Sequence, residues 1–267
     1  MSIGFIGAGN MAGAIIRGLI ASGHPASDIS VHDTDPAVLD ALARETGVVA
    51  AAGNQEVIAQ DQTLILAVKP HIVPRVLEEV AARIVDRRPL VVSIAAGVPI
   101  AKLESWLNPS TAIVRAMPNL NASIRQGVAA VTGNGAASRE QIDSALAIFR
   151  SVGEAIELDE ALFRPFMAIA GSSPAWTFLY LDALARGGVA GGMPKRQALQ
   201  VAAAAVRGSA ALVASGAAHP WELIDQVSSP AGTTIAGLSV LEARGLPSAV
   251  TDAVRATIAR DIEIAGD

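Results

Sequence analysis

Apolar and polar positions follow one rule in the first half of this chain and another in the second. In the first half, short apolar runs alternate with longer amphipathic segments. Ile3, Phe5 and Ile6 form the first run, Asp28–Asp33 carries a second, and Val48–Ala50 suits a very short third strand. Thr63–Val68 and Pro89–Ile94 are continuous apolar stretches, the pattern of parallel strands buried on both faces. Thr111–Ala116 and Gly127–Thr132 follow as further strands. Between the runs, 11–20, 36–45 (with Pro36 at its first turn) and 138–150 suit helices. This alternation predicts an α/β fold with a doubly wound parallel sheet. Past about Glu157 the strand signals stop. Leu162–Ala185, Lys195–Ala214, Trp221–Val227 and Thr233–Ile264 then read as helices, punctuated by Gly187-Gly188, by Gly191-Gly192-Met193-Pro194 and by 215–220.

The first strand runs at once into Gly7-x-Gly9-x-x-Ala12 and a helix. Gly7 permits the turn, Gly9 lets backbone approach a pyrophosphate, and Ala12 lets helix and strand pack closely. The phosphate would sit on free amides at the helix N-terminus, where the helix dipole also favours it. Ile6, Gly7, Ala8, Gly9, Asn10 and Met11 are therefore candidate cofactor-binding residues. A dinucleotide-binding domain over residues 1–158 is expected, followed by a helical substrate domain over 159–267, with substrate in the cleft between the two.

Composition narrows the partners. The chain has 267 residues, 51% hydrophobic and 17% charged, so it can bury a core. A net charge of -5 argues against nucleic acid. The absence of cysteine excludes disulfides and thiolate chemistry and fits a cytoplasmic setting. His24, His32, His71 and His219 are scattered without metal-site spacing, so no metal is expected. No signal peptide is expected at the N-terminus. The segment 201–218 is long and apolar but alanine-rich, with Arg207 in mid-stretch; it reads as a buried or subunit-interface helix, not a membrane span.

The coenzyme, NADH or NADPH, turns on the end of the second strand, where His32, Asp33, Thr34 and Asp35 stand without lysine or arginine. Asp33 either bonds a ribose 2′-hydroxyl and repels a 2′-phosphate, which favours NADH, or caps the following turn. Ala67, Val68, Lys69 and Pro70 end the fourth strand and would line the cofactor crevice; Lys69 is otherwise a surface lysine. Asn54 either caps the third helix or reaches the adenine-side ribose.

Together, Phe5-Ile-Gly-Ala-Gly9, Ala67-Val-Lys-Pro-His71, Arg115-Ala-Met-Pro-Asn119, Gly171-Ser-Ser-Pro-Ala175 and Ser229-Pro-Ala-Gly-Thr-Thr-Ile235 resemble pyrroline-5-carboxylate reductase over essentially the whole chain. Leu238, Leu241, Glu242 and Gly245 continue the likeness. The resemblance implies a Rossmann-type domain, a C-terminal all-helical dimerisation domain, and a homodimer or larger assembly, up to a decamer. It also implies NAD(P)H-dependent reduction of 1-pyrroline-5-carboxylate to L-proline. Asn119, within the third motif, joins the cofactor candidates. Thr234 would bond the ring nitrogen as the catalytic residue, and the amides of Thr233 and Thr234 would hold the substrate carboxylate. Ser229, Gly232 and Glu160 complete the substrate-binding candidates; the alternative reading makes Ser229, Pro230 and the two threonines caps of the last helix. A protonated pyrroline is already electrophilic, so no strong general acid is required, and His219 reads as helix–turn structure.

The family pattern is departed from at Leu120, Asn121, Arg164, Ala170, Ser173, Ala217, Ala218 and Ile224. These departures keep open a reductase of a related cyclic imino acid or a non-catalytic dinucleotide-binding oligomer. A β-hydroxyacid dehydrogenase would need a lysine on the first long helix of the second domain, and 162–185 has none.

Overall fold

The computed structural model describes residues 1–60 and 62–265. It divides into two compact units, residues 1–171 with 264–265, and 172–263. The division falls after Gly171 rather than at 158 because the next segment packs into the first unit. There Phe163 is 1% exposed and lies under the Arg115 guanidinium, 4.7 Å from the ring centre.

The first unit holds β1 (Ile3–Ile6), α1 (Asn10–Ala21), β2 (Ile29–His32), α2 (Pro36–Thr46), β3 (Val49–Ala50), α3 (Asn54–Gln60), β4 (Thr63–Leu66) and α4 (Val73–Arg87). β5 (Leu90–Ser93), α5 (Ile100–Trp106), β6 (Ile113–Pro118), β7 (Gly127–Gly133), α6 (Arg139–Arg150), β8 (Gly153–Glu157) and α7 (Phe163–Phe166) follow. The sheet order is β3-β2-β1-β4-β5-β6-β7-β8. Its core is set by register. Val31, Phe5, Ile65, Val92 and Val114 lie side by side across five strands and fill one face. Leu64, Val91 and Ile113 do the same on the other. Helices cover both faces, which is why these strands lack alternation in the sequence.

The sheet is parallel apart from one pairing: β6 and β7 run antiparallel, Val114 opposite Gly133 and Pro118 opposite Ala129. The expected doubly wound parallel sheet is found, with this pair as its one antiparallel pairing. The chain returns from β6 through one short 3₁₀ turn (120–124), too short for a parallel crossover. β8 is an added edge strand, parallel to β7.

In the second unit, α8 (Ser173–Ala190) and α9 (Lys195–Ala214) pack on each other, and α10 (Pro220–Val227), α11 (Thr233–Ala243) and α12 (Leu246–Ala265) follow. Gly187-Gly188 lie inside α8 rather than ending it; Gly188 lets the helix approach Ala198. The expected helix 233–264 is broken at Gly245, whose φ of 74° suits glycine. The other expected helix, 162–185, is broken by a π-helical turn, Met167–Ser172. Within the chain this unit buries little: Phe178 is 55% exposed, Leu179 71% and Val240 59%, and α11 has no buried residue. A helix apolar on all sides normally lies in an interior. Among the described residues α9 is long and apolar enough to cross a membrane by length and composition.

Candidate active site

A groove of about 660 Å³ opens where β1, β2 and β4 end, within the first unit. Its floor is the turn from β1 into α1. Gly7 has a φ of 104°, and a Cβ there would lie 2.6 Å from the Ala67 carbonyl oxygen, so both conformation and space require glycine. Gly9 is the N-cap of α1, and no side chain caps that end. A Cβ on Gly9 would meet nothing within 4 Å, so the space in front of the bare amides is open. Free amides, an open approach and a favourable dipole form an anion cradle.

Of the candidate cofactor residues, Ile6, Gly7, Gly9, Asn10, Met11, Asp33, Thr34, Asn54, Ala67, Val68, Lys69 and Pro70 all line this groove. Ala8 and Asn119 do not. Ala8 is 5% exposed, and its amide donates to Asp33 Oδ2 at 2.7 Å, which clamps the glycine turn to the end of β2. Asp33 Oδ1 accepts from the Asp35 amide at 2.9 Å, so the carboxylate also shapes the turn after β2. Asn119 is buried: its Nδ2 donates to the Ala170 carbonyl at 2.9 Å, and its Oδ1 accepts from the Val128 amide at 3.1 Å. Its amide ties the π-helical turn to β7 within the first unit.

His32, named beside Asp33 at the end of the second strand, also lines the groove, as do Arg75, Glu79, Ile94, Ala95, Ala96 and Pro118, which sequence reasoning missed. The rule used for Ala67–Pro70, that strand C-terminal ends face the crevice, would have found Ile94–Ala96 and Pro118. Arg75 and Glu79 have no such signal; the packing of α4 beside α3 brings them there. Asn54 donates from Nδ2 to Glu79 Oε2 at 2.9 Å, while its Oδ1 is buried without a partner. A nicotinamide dinucleotide fits this set: bare amides for the pyrophosphate, an orphaned acceptor and a carboxylate for ribose hydroxyls, and the apolar Val68 and Ile94 along the wall.

The second unit brings Ser229, Gly232, Thr233 and Thr234 together in the turn that opens α11. Ala231 stands at φ 57°, and the Gly232 amide donates to the Ser229 carbonyl at 3.0 Å. Gly232 is the N-cap of α11 with no side-chain cap, so the serine and threonines do not close this helix end. His219 does act as a cap, of α10, accepting from the Trp221 amide at 3.3 Å in a capping box with Glu222.

Glu160 belongs to the first unit. Its Oε1 accepts from the Ile100 amide, the first of α5, and from Arg115 Nη1, both at 2.8 Å. The Arg115 side chain is 11% exposed and that of Glu160 31%, so the pair is largely shielded. On the outer surface, ion pairs shift several groups. Arg139 is raised by its bonds to Asp143 and Glu157, Asp143 is lowered by Arg139, and Glu45 is lowered by Arg17. Among the described residues no cluster of three or more His, Asp or Glu could hold a metal.

The sheet, the glycine turn and the uncapped α1 define an α/β oxidoreductase of the nicotinamide-dinucleotide type. A family model for pyrroline-5-carboxylate reductase dimerisation matches residues 160–264, and one for NADP oxidoreductases, coenzyme F420-dependent, matches 2–97. The pyrroline-5-carboxylate reductase of Escherichia coli is 43% identical over 253 residues, 94% of either chain. The solved pyrroline-5-carboxylate reductase of Coxiella burnetii superposes with a TM-score of 0.94 at 33% identity, covering 98% of this chain and 97% of that one. A Plasmodium falciparum pyrroline carboxylate reductase solved with NADP bound gives 0.87 at 25% identity, covering 100% and 98%. This chain belongs to the pyrroline-5-carboxylate reductase family. Its second unit lies within the stretch that the family's dimerisation model matches.

Proposed function

We propose that this protein reduces 1-pyrroline-5-carboxylate to L-proline, the last step of proline synthesis, with NADH or NADPH. The coenzyme, when bound, supplies a hydride to the imine carbon. The chain's own task is to orient both partners and balance charge. The cradle at Gly7–Met11 would hold the pyrophosphate, and Asp33, Thr34 and Asn54 the adenosine ribose. Ala67–Pro70 would flank the coenzyme along the crevice.

The observation that carries the substrate assignment is the uncapped N-terminus of α11, which Thr233 and Thr234 open. The Thr233 and Thr234 amides would hold the substrate carboxylate, aided by the helix dipole. The Thr234 hydroxyl would bond the ring nitrogen and set which face of the imine carbon receives the hydride. Ser229 and Gly232 shape that turn. Glu160, braced by Arg115 and the Ile100 amide, is kept as a substrate-binding candidate. Asn119 contributes by holding the end of β6.

The bare apolar faces of α8–α12 support a homodimer, with larger assemblies up to a decamer built from it. The absence of cysteine supports a cytoplasmic enzyme, and the alanine-rich α9 with its Arg207 reads as an interface helix rather than a span. No nucleic-acid partner is proposed. The departures at Leu120, Asn121, Arg164, Ala217, Ala218 and Ile224 favour one second reading, a related cyclic imino acid as substrate. Oxidation of NADH or NADPH with 1-pyrroline-5-carboxylate, followed by absorbance on purified protein, tests the first reading. Turnover supports it, and binding of both coenzymes without oxidation overturns it.

A further inference from the structure

We infer that the ribose end of the groove accepts hydrogen bonds from an unphosphorylated diol, so that NADH rather than NADPH is the working coenzyme. The inference rests on the dinucleotide reading of the groove and not on the identity of the imine.

Asp33 cannot turn away from a ligand. Both of its oxygens are already held, Oδ2 by the Ala8 amide at 2.7 Å and Oδ1 by the Asp35 amide at 2.9 Å. Moving the carboxylate would break the clamp on the glycine turn. Each carboxylate oxygen has a second lone pair, so Asp33 still accepts from a hydroxyl while held in place.

Asn54 is set in the same sense. An ionised Glu79 can only accept, so it fixes the Asn54 Nδ2 towards itself at 2.9 Å and leaves Oδ1 as the free end of the amide. That oxygen is buried, in a residue 8% exposed, and has no partner. The Glu79 turn is pinned in turn, since its carbonyl accepts from Gln55 Nε2 at 2.8 Å. An orphaned buried acceptor is costly until a donor arrives.

Ribose hydroxyls are donors and satisfy these acceptors. A 2′-phosphate dianion is an acceptor; it would leave Asn54 Oδ1 unpaired and meet the carboxylates of Asp33 and Glu79 on the same groove. Thr34 and Arg75 stand against this, as a hydroxyl donor and a cation one helical turn before Glu79 on α4. Lys69, exposed on the same groove, is a second cation against it. Two fixed carboxylates and an orphaned carbonyl outweigh two flexible cations, whose side chains are held by no hydrogen bond or ion pair among the described residues.

The test is the dissociation constant of each coenzyme for the full-length protein, read from nicotinamide fluorescence without any imine. NADH is expected to bind about tenfold tighter than NADPH, as expected when one ligand is rejected by unpaired charge and an unsatisfied acceptor. Asp33→Ser should narrow that ratio about tenfold, mainly by improving NADPH. Glu79→Gln keeps an acceptor for Asn54, removes one charge and should shift the ratio less, in the same direction. The wild-type ratio needs no variant, so a poorly folding substitution does not spoil the test. NADPH binding as tightly as NADH, or tighter, overturns the inference; loss of that preference in Arg75→Ala would show that the arginine governs. Neither outcome touches the imine assignment, whereas failure of both coenzymes to bind overturns the groove reading itself.

Discussion

Asn119 separates a residue that holds the site's frame from one that touches ligand. Asn119→Ala deletes the bonds to the Ala170 carbonyl and from the Val128 amide. Losing two neutral bonds forfeits about 2 kcal/mol, and stranding a buried partner adds about 1 kcal/mol more, so the variant should lose about 3 kcal/mol. Urea unfolding of the full-length protein, at fixed protein concentration because assembly contributes to stability, should show a midpoint about 1 M lower. Asn119→Asp should be comparably damaging. It keeps an acceptor for Val128 but turns a second acceptor on the Ala170 carbonyl. NADH titration of the folded variant should change less than about threefold, because the side chain does not line the groove. An unchanged midpoint with strongly weakened NADH binding would refute the reasoning and make Asn119 a ligand contact.

Gly7→Ala should abolish coenzyme binding by titration, since its Cβ would lie 2.6 Å from the Ala67 carbonyl oxygen at a φ of 104°. Thr234→Val keeps the shape and the amides of the α11 turn and removes only the hydroxyl. Its kcat/KM for the imine should fall about tenfold or more, with the NADH dissociation constant unchanged. Ala231→Val should lower the thermal midpoint by the equivalent of about 1–2 kcal/mol, because a β-branched residue tolerates its φ of 57° poorly.

The frame was legible where one local cause decides it. The run Ile3–Ile6 followed by Gly7-x-Gly9 admits little but strand, turn and helix, and twelve of the fourteen cofactor candidates line one groove because strand ends and the first helix start converge there. β8 was not legible: Gly153–Glu157 is a short, partly exposed edge strand without a continuous apolar run. The antiparallel direction of β7 has no signal in its own residues, since Gly127–Thr132 reads the same either way. Asn119, Glu79 and Arg115 were hidden for another reason. Their partners lie 51, 25 and 45 positions away, and only the packed fold makes a side chain's partner visible. Asp33 shows both limits at once, because the carboxylate read as a ribose acceptor also caps its own turn and clamps the glycine loop.

A protein of this family should transfer a hydride from a reduced nicotinamide to a cyclic imine. The most direct measurement of that transfer is loss of NADH absorbance on mixing purified protein with 1-pyrroline-5-carboxylate, with L-proline quantified in the same sample. One proline should form per NADH consumed, and the rate should fall about tenfold or more in Thr234→Val. Tight NADH binding with no oxidation and no proline would contradict that chemistry.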